Sequence, residues 1–132
     1  ELRLYCKEEL KYTLPIELGF NPVGDKIRQG DGATPEGHYH IDIIKQTSSF
    51  YKSFLLDYPN EQDKREFVQW QEQGAVTLED TIGGSIAIHG QGGKGQDWTL
   101  GCVALQNQHM DALFEYVKRG SIGAGTSVLI AP

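Results

Sequence analysis

One cysteine and one histidine in the second half of the chain have the surroundings expected of a nucleophile and its base. Cys102 follows Gly101, and a glycine there lets the backbone turn sharply and approach a substrate closely. A free thiol is only a few per cent thiolate at neutral pH, so the nucleophile needs a base within reach. His89 ends the alternating apolar segment Ser85–His89 and is followed at once by Gly90. Side chains at strand ends often point into clefts, and the two residues would meet if the segment between them connected neighbouring strands.

The residue types alone leave simpler interpretations open. A single Cys in an apolar stretch is more often a small core residue, and a single His is more often a surface residue than a base. With Cys6 as the second cysteine, the chain holds a disulfide, two inert thiols or one reactive thiol. No Cys or His has CxxC or HExxH spacing, so we expect neither a metal site nor another cofactor.

A glycine cluster between the two residues matches a nucleotide-binding motif in spacing only. Gly90, Gly92 and Gly95 reproduce GxGxxG, but that motif requires a helix to begin within it and to offer its N-terminus to a pyrophosphate. The residues after Gly95 have no helical pattern, and Lys94 is followed by Gly rather than Ser or Thr. The segment Gly90–Gly95 therefore predicts a flexible loop.

Length and charge limit the classes of protein. We expect residues 1–132 to form one catalytic domain, and Glu1 in place of an initiator Met indicates a mature or trimmed chain. A net charge of −6 makes the chain a poor nucleic-acid binder, because phosphate binding needs a basic surface. No apolar run approaches the ~18–20 residues of a transmembrane segment. The sequence carries no signal for the oligomeric state.

Strands dominate the predicted elements. Alternating or short apolar segments lie at Leu2–Tyr5, Lys11–Leu18, His38–Ile44, Ser53–Leu56, Ser85–His89, Cys102–Leu105 and Thr126–Ala131. Two helices are predicted, one from an Asn60 cap to Gln73 and one from an Asn107 cap to Arg119. The helices do not alternate with the strands, which favours a mainly β fold, a mixed sandwich or barrel with two peripheral helices, over a doubly wound sheet.

Ordered motifs resemble one enzyme family. Ile86–Gly90 and then Asp97–Leu105 resemble the signature of the YkuD-type L,D-transpeptidase domain, which is a strand ending in His-Gly, a variable loop, and Ser/Thr-x-Gly-Cys. Gly30–Ile41 resembles the family's TPxGxY/F-x-I segment, and Gly125–Ile130 its closing G-T-x-V-x-I. Tyr58-Pro59-Asn60 resembles a segment of its carboxypeptidase-like and amidase-like branches. The resemblance covers nearly the whole chain.

The resemblance implies an L,D-transpeptidase fold, a location in the cell envelope and cysteine acyl transfer on peptidoglycan stem peptides. His89 would deprotonate Cys102, whose sulfur would attack the carbonyl after the third residue of the stem peptide, and D-alanine would leave. The backbone N–H groups of Cys102 and Gly101 would stabilise the oxyanion, and the Gly90 carbonyl would orient the imidazole. Four residues are candidates for substrate binding: Thr99, Trp98, Asp97 and Tyr58.

Two positions depart from the family pattern. Many members carry a second His where this chain has Leu100, and an Arg where it has Ala104. The missing Arg removes a clamp for a substrate carboxylate. Lys94, Arg28 or Arg65 could replace it, although each is otherwise an ordinary surface charge.

The resemblance leaves several functions open. We favour a transpeptidase that forms 3–3 cross-links or attaches an amine, followed by an L,D-carboxypeptidase or murein-amide hydrolase that uses water. A non-catalytic wall-binding module is the other alternative, and the presence of both Cys102 and His89 speaks against it. A papain-like peptidase is disfavoured, because it would need its Cys near the start of a long helix and its His far downstream. In this chain His89 lies upstream of Cys102.

Overall fold

Strands form most of the structure, as the sequence predicted. The computed structural model describes residues 1–132 and contains seven strands and two helices. In chain order these are β1 (Leu2–Cys6), β2 (Glu9–Leu14), β3 (Gly37–Ser48), β4 (Tyr51–Leu56), α1 (Glu61–Glu72), β5 (Ala87–His89), β6 (Val103–Ala104), α2 (Asn107–Lys118) and β7 (Ser127–Ile130).

The larger sheet has five strands in the order β6-β5-β4-β3-β7, and β1 and β2 form a separate hairpin. The long strand β3 pairs with β7 through its first residues and with β4 through its later ones. Every pair in the five-stranded sheet is antiparallel except β5 with β6, which is parallel. A parallel pair cannot be closed by a hairpin, so the segment between β5 and β6 must cross back over the sheet edge.

The core lies between this sheet and α2. Met110, Leu113 and Phe114 are the buried residues of α2, and their spacing places them on one face of the helix. The ring of Phe114 stacks on Phe54 of β4 with 4.8 Å between the ring centroids. Fourteen buried apolar residues form one cluster, so burial of this face fixes which side of the sheet is left for chemistry.

The first helix begins and ends as predicted, at an Asn60 cap and at Gln73. Asn60 and Asp63 form a capping box, in which each side chain accepts a hydrogen bond from the backbone N–H of the other residue. The buried Asp63 also accepts the Tyr39 hydroxyl at 2.8 Å, which ties the helix start to β3. Burial raises the pKa of Asp63, and these hydrogen bonds oppose the rise.

The predicted cap of the second helix is wrong by one residue. Gln106 occupies the cap position without a side-chain cap hydrogen bond, and Asn107 is the first helical residue. The Asn107 side-chain oxygen instead accepts the Gln91 N–H at 2.8 Å, because the loop after β5 passes this helix start. The predicted strand Lys11–Leu18 also ends early, at Leu14, since Pro15 has no N–H for a ladder.

Two further features concern the chain as a whole. Cys6 and Cys102 are both free thiols. Neither helix combines the length and apolar character that a membrane crossing requires.

The capping box predicts a measurable stability loss. Asn60→Ala removes the acceptor for the Asp63 N–H, and we expect the free energy of unfolding to fall by about 1 kcal/mol. Urea denaturation followed by circular dichroism measures this, with the exposed helix substitution Gln69→Ala as the matched control. Equal midpoints for the two variants would contradict the assigned role of the cap.

Candidate active site

The parallel pairing of β5 and β6 brings the segments that carry His89 and Cys102 side by side. Ile88 pairs with Val103 and His89 with Ala104, so the register continued by one residue sets Cys102 beside Ala87. The loop between the two residues thus makes the strand connection that the sequence analysis required.

His89 is held in a single tautomer by its neighbour. Its Nδ1 lies 2.8 Å from the carbonyl oxygen of Gly90. A carbonyl oxygen can only accept, so Nδ1 carries the proton and donates it, and Nε2 keeps its lone pair as the basic nitrogen. The Gly90 N–H in turn donates to the Phe50 carbonyl at 2.9 Å, which fixes this peptide. A Cβ at Gly90 would lie 2.6 Å from the Asn107 side-chain oxygen, so only glycine fits.

Two aromatic side chains enclose the imidazole, which is 3% exposed. Phe50, at the tip of the β3–β4 hairpin, stacks on the His89 ring with 4.4 Å between centroids. Trp98 meets His89 edge-on at 5.9 Å. Burial lowers the pKa of His89 below its ordinary 6.5, and the nearby Lys94 charge lowers it further, while the Gly90 hydrogen bond opposes both. His89 is therefore a neutral imidazole at pH 7.

The Cys102 thiol hydrogen-bonds to the start of β5 rather than to His89. Its sulfur accepts the Ala87 N–H at 3.4 Å and donates to the Ser85 carbonyl at 3.5 Å. Ser85 has a positive φ of 56°, a strained backbone geometry that turns this segment toward the thiol. Burial raises the pKa of Cys102 above its ordinary 9.0, although the Ala87 N–H and the Lys26 charge act in the opposite direction. Cys102 is therefore a neutral thiol at pH 7, and its hydrogen bonds go to the backbone at the start of β5.

Thr99, which is buried, closes the turn that carries the nucleophile. Its hydroxyl donates to the Cys102 carbonyl at 2.6 Å and accepts the Gly101 N–H at 3.2 Å. Gly101 has a φ of 143°, and a Cβ there would lie 2.9 Å from the Ala33 carbonyl oxygen. Of the two amides expected to stabilise an oxyanion, that of Gly101 is therefore engaged by Thr99, and that of Cys102 has no protein acceptor.

The other predicted substrate residues divide into two groups. Trp98 borders the imidazole directly. Asp97 instead accepts the Leu18 N–H at 2.8 Å, which anchors the loop to the segment after β2. Tyr58 is 6% exposed and donates its hydroxyl to the Ile82 carbonyl at 2.9 Å, so it supports the chain that leads into β5 from within the core.

Glu17 holds the glycine loop in place, and the sequence analysis missed it. Its carboxylate accepts the Gly93 N–H at 3.0 Å, the Gly95 N–H at 2.7 Å and the Trp98 indole N–H at 2.9 Å. Burial alone would raise the pKa of Glu17, but these hydrogen bonds hold it below its ordinary value. The Glu17 N–H also donates to the Ala104 carbonyl at 2.9 Å, and the Ala104 N–H donates to the Glu17 carbonyl at 2.8 Å. Glu17 therefore holds both the glycine loop and β6.

A buried ion pair lies behind the nucleophile turn. Lys26 is 5% exposed, and its ammonium lies 2.8 Å from Asp31 and 3.5 Å from the Ala33 carbonyl. Asp31 also accepts three backbone N–H groups of its own loop, from Ile27, Arg28 and Ala33. The pair orders the long loop that borders Gly101.

Four residues at this site had no sequence signal that marked them for it: Glu17, Lys26, Phe50 and Ser85. Glu17 lies 76 residues from Gly93 along the chain, and Phe50 reaches His89 only because the β3–β4 hairpin ends there. No group of three or more His, Cys, Asp or Glu side chains comes together as a metal site.

Comparison with known proteins identifies the class. The family described as YkuD, the L,D-transpeptidase catalytic domain, matches residues 1–130. The chain therefore belongs to the YkuD family of L,D-transpeptidase catalytic domains, and its mainly β fold with two helices agrees with that assignment.

Individual relatives are more distant. The chain is 28% identical over 111 residues to the Escherichia coli K12 protein named "Putative L,D-transpeptidase YafK", covering 83% of this chain and 38% of that protein. The crystal structure of the helical cell shape determining protein Pgp2 from Campylobacter jejuni superposes with a TM-score of 0.59 at 26% identity, over 86% of this chain and 36% of Pgp2.

Bdellovibrio bacteriovorus Bd1075 shares the fold, with a TM-score of 0.60 at 24% identity over 98% of this chain and 42% of Bd1075. The chain thus spans well under half the length of each of these relatives.

Loss of the Glu17 carboxylate should release the loop. We expect Glu17→Ala to speed amide hydrogen exchange at Gly93 and Gly95 by roughly tenfold, because hydrogen bonds to a charged acceptor each contribute about 1.5–3 kcal/mol before solvent screening. NMR exchange measures this, with Glu79→Ala as a control at an exposed carboxylate. Unchanged protection at both glycines would show that the loop is held by other contacts.

Proposed function

We propose that the chain catalyses cysteine-dependent acyl transfer on peptidoglycan stem peptides, with Cys102 as nucleophile and His89 as base. One observation carries the proposal: the Gly90 carbonyl fixes the His89 tautomer and leaves Nε2 free to act as a base, on the strand next to the segment that carries Cys102. Membership of the YkuD family supplies the substrate class, since this family acts on peptidoglycan.

The reaction begins when His89 takes the thiol proton and the Cys102 sulfur bonds to the peptide carbonyl carbon. The Cys102 N–H, which has no acceptor in the protein, donates to the oxygen as it becomes negative. The C–N bond then breaks, the nitrogen takes the proton from His89, and D-alanine leaves an acyl thioester on Cys102. Attack by an amine or by water releases the acyl group and returns the proton to the sulfur.

The acceptor distinguishes the transpeptidase from its alternatives. An amine of a second stem peptide gives a 3–3 cross-link, and water gives the tripeptide of an L,D-carboxypeptidase. We place the activity in the cell envelope, where the polymer lies. A wall-modifying role accords with the description of Pgp2 as a cell shape determining protein. A wall-binding module without catalysis remains the competing hypothesis, and the Cys102 variant below separates it from an enzyme.

Product analysis tests the proposal directly. Incubation with disaccharide tetrapeptides and mass spectrometry should reveal 3–3 dimers for a transpeptidase, or tripeptide monomers alone for a carboxypeptidase. Cys102→Ala should lose activity by at least about 10³-fold, and His89→Gln by about 10²–10⁴-fold.

Cys6→Ala is the matched control and should retain activity, because Cys6 lies in the separate hairpin β1–β2. Equal product from the wild type and Cys102→Ala would exclude the thioester reaction. Binding of the tetrapeptide without product would favour the wall-binding module.

The paired burial of the two groups predicts the pH dependence. Activity requires neutral His89, so kcat/KM falls as the pH drops through the His89 pKa, which lies below 6.5. The thiol stays protonated to above pH 9.0 because burial raises its pKa. We therefore expect a broad plateau from below pH 6.5 to above pH 9.0, measured as kcat/KM against pH. An acid limb at pH 7 or higher would contradict this environment for His89.

A further inference from the structure

Ala104, two residues after Cys102, offers no charge to a substrate carboxylate, so such a group needs a cation from elsewhere in the chain. Lys26 is buried and already paired with Asp31. Lys52 is paired with Asp111 at 2.7 Å. Arg28 donates to the Gln29 carbonyl in its own loop. These cations are therefore committed to contacts within the protein.

Lys94 differs from them in partner and position. It is exposed, no carboxylate lies within 4.0 Å of its ammonium, and the ammonium rests 3.5 Å from the centre of the Trp98 ring. Trp98 in turn meets His89 edge-on at 5.9 Å. The ammonium is thus one aromatic ring away from the imidazole, and it is the cation whose charge acts on the pKa of His89 besides the larger effect of burial.

Hydrogen bonds within the fold hold the Trp98 ring on which the Lys94 ammonium rests. The Trp98 indole N–H is bound to Glu17 at 2.9 Å, and the same carboxylate holds the amides of Gly93 and Gly95 on both sides of Lys94. The backbone of Lys94 and the ring beneath its ammonium are therefore fixed together. A lysine ammonium has three N–H donors, and a ring on one side of it leaves donors for an anion on the other.

The chemistry of the proposed reaction brings a carboxylate to this side of the site. The leaving nitrogen takes its proton from His89, so it must come within about 3 Å of Nε2. In a terminal amino acid the carboxylate carbon lies two bonds from that nitrogen, about 2.5 Å away. The terminal carboxylate of the substrate therefore lies near His89, and Lys94 is the cation that rests on a ring in contact with the imidazole.

From this geometry we infer that Lys94 is the receptor for the terminal carboxylate of the leaving amino acid. The inference rests on the proposed function and gives it a specificity. Lys94 then determines how strongly the site prefers a free terminal carboxylate over a neutral terminus.

The test compares two substrates that differ only at that group. One is the disaccharide tetrapeptide ending in D-alanine, and the other is the same molecule ending in D-alaninamide. Wild type should favour the free acid by about tenfold in kcat/KM, mainly through KM, since one partly exposed charge-assisted contact is lost. Lys94→Met, which keeps the apolar stem over Trp98, should lose this preference, and Lys94→Arg should retain most of it.

Lys64→Met controls for the loss of one positive charge, because Lys64 lies exposed on α1 and pairs only with Glu61 of its own helix. It should keep the wild-type preference. Binding of both peptides to Cys102→Ala, with and without Lys94→Met, provides a readout that does not depend on turnover. The free acid should bind about tenfold more weakly after Lys94→Met, and the amide should bind equally to both proteins.

The outcomes separate the two hypotheses. If wild type and Lys94→Met process both peptides with the same ratio, Lys94 is not the carboxylate receptor, and acyl transfer by Cys102 stands. If neither peptide binds or reacts, the proposed substrate class and the inference both fail. Loss of the Lys94 charge should raise the pKa of His89 and so move the acid limb of the pH profile to higher pH. If this shift is equal for both peptides and the preference for the free acid is unchanged, the inference is overturned.

Discussion

The one parallel pairing of the sheet, between β5 and β6, is the constraint on which the candidate site depends. It sets His89 beside Ala104, and the Cys102 sulfur before β6 contacts the Ala87 N–H of β5. Most parallel pairs are closed by a helix, but here the crossover is the glycine-rich loop. A glycine-rich loop has little conformational preference of its own, so hydrogen bonds must hold it in place. The side chains of Glu17, Asp97 and Asn107 make these hydrogen bonds.

These hydrogen bonds also shape the electrostatics of the site. The loop carries Trp98 against one side of His89, and the hairpin tip carries Phe50 against the other. Enclosure by rings disfavours the charged imidazolium, and burial likewise disfavours the Cys102 thiolate. The arrangement suits a base that takes the proton as the substrate arrives, rather than an ion pair that exists beforehand. Gly90 replaces the carboxylate that orients the histidine in many other nucleophile–base pairs.

The same contacts account for the buried position of Ala104. Ala104 is almost fully buried against the segment that carries Glu17, so its place in the sheet serves to fix the loop. The positive charge beside the imidazole comes from Lys94, on the loop itself. The chain has a net charge of −6, so an ammonium without a carboxylate partner creates a local positive potential on a protein that is negative as a whole.

The sequence by itself determined the family and the fold class, and it predicted the residues that react. The helix of Asn60 to Gln73, the apolar face of α2 and the strand before His89 follow from local patterns of capping and periodicity, which neighbouring residues fix. The Gly-Cys and His-Gly motifs could be recognised for the same reason. The contacts that assemble the site are not local, because Glu17, Phe50 and Lys26 reach it only through strand pairing and loop closure. Tertiary structure alone decided that Thr99 engages the Gly101 amide, that Asn107 binds a loop instead of capping its helix, and that Lys94 lies over Trp98 beside the base.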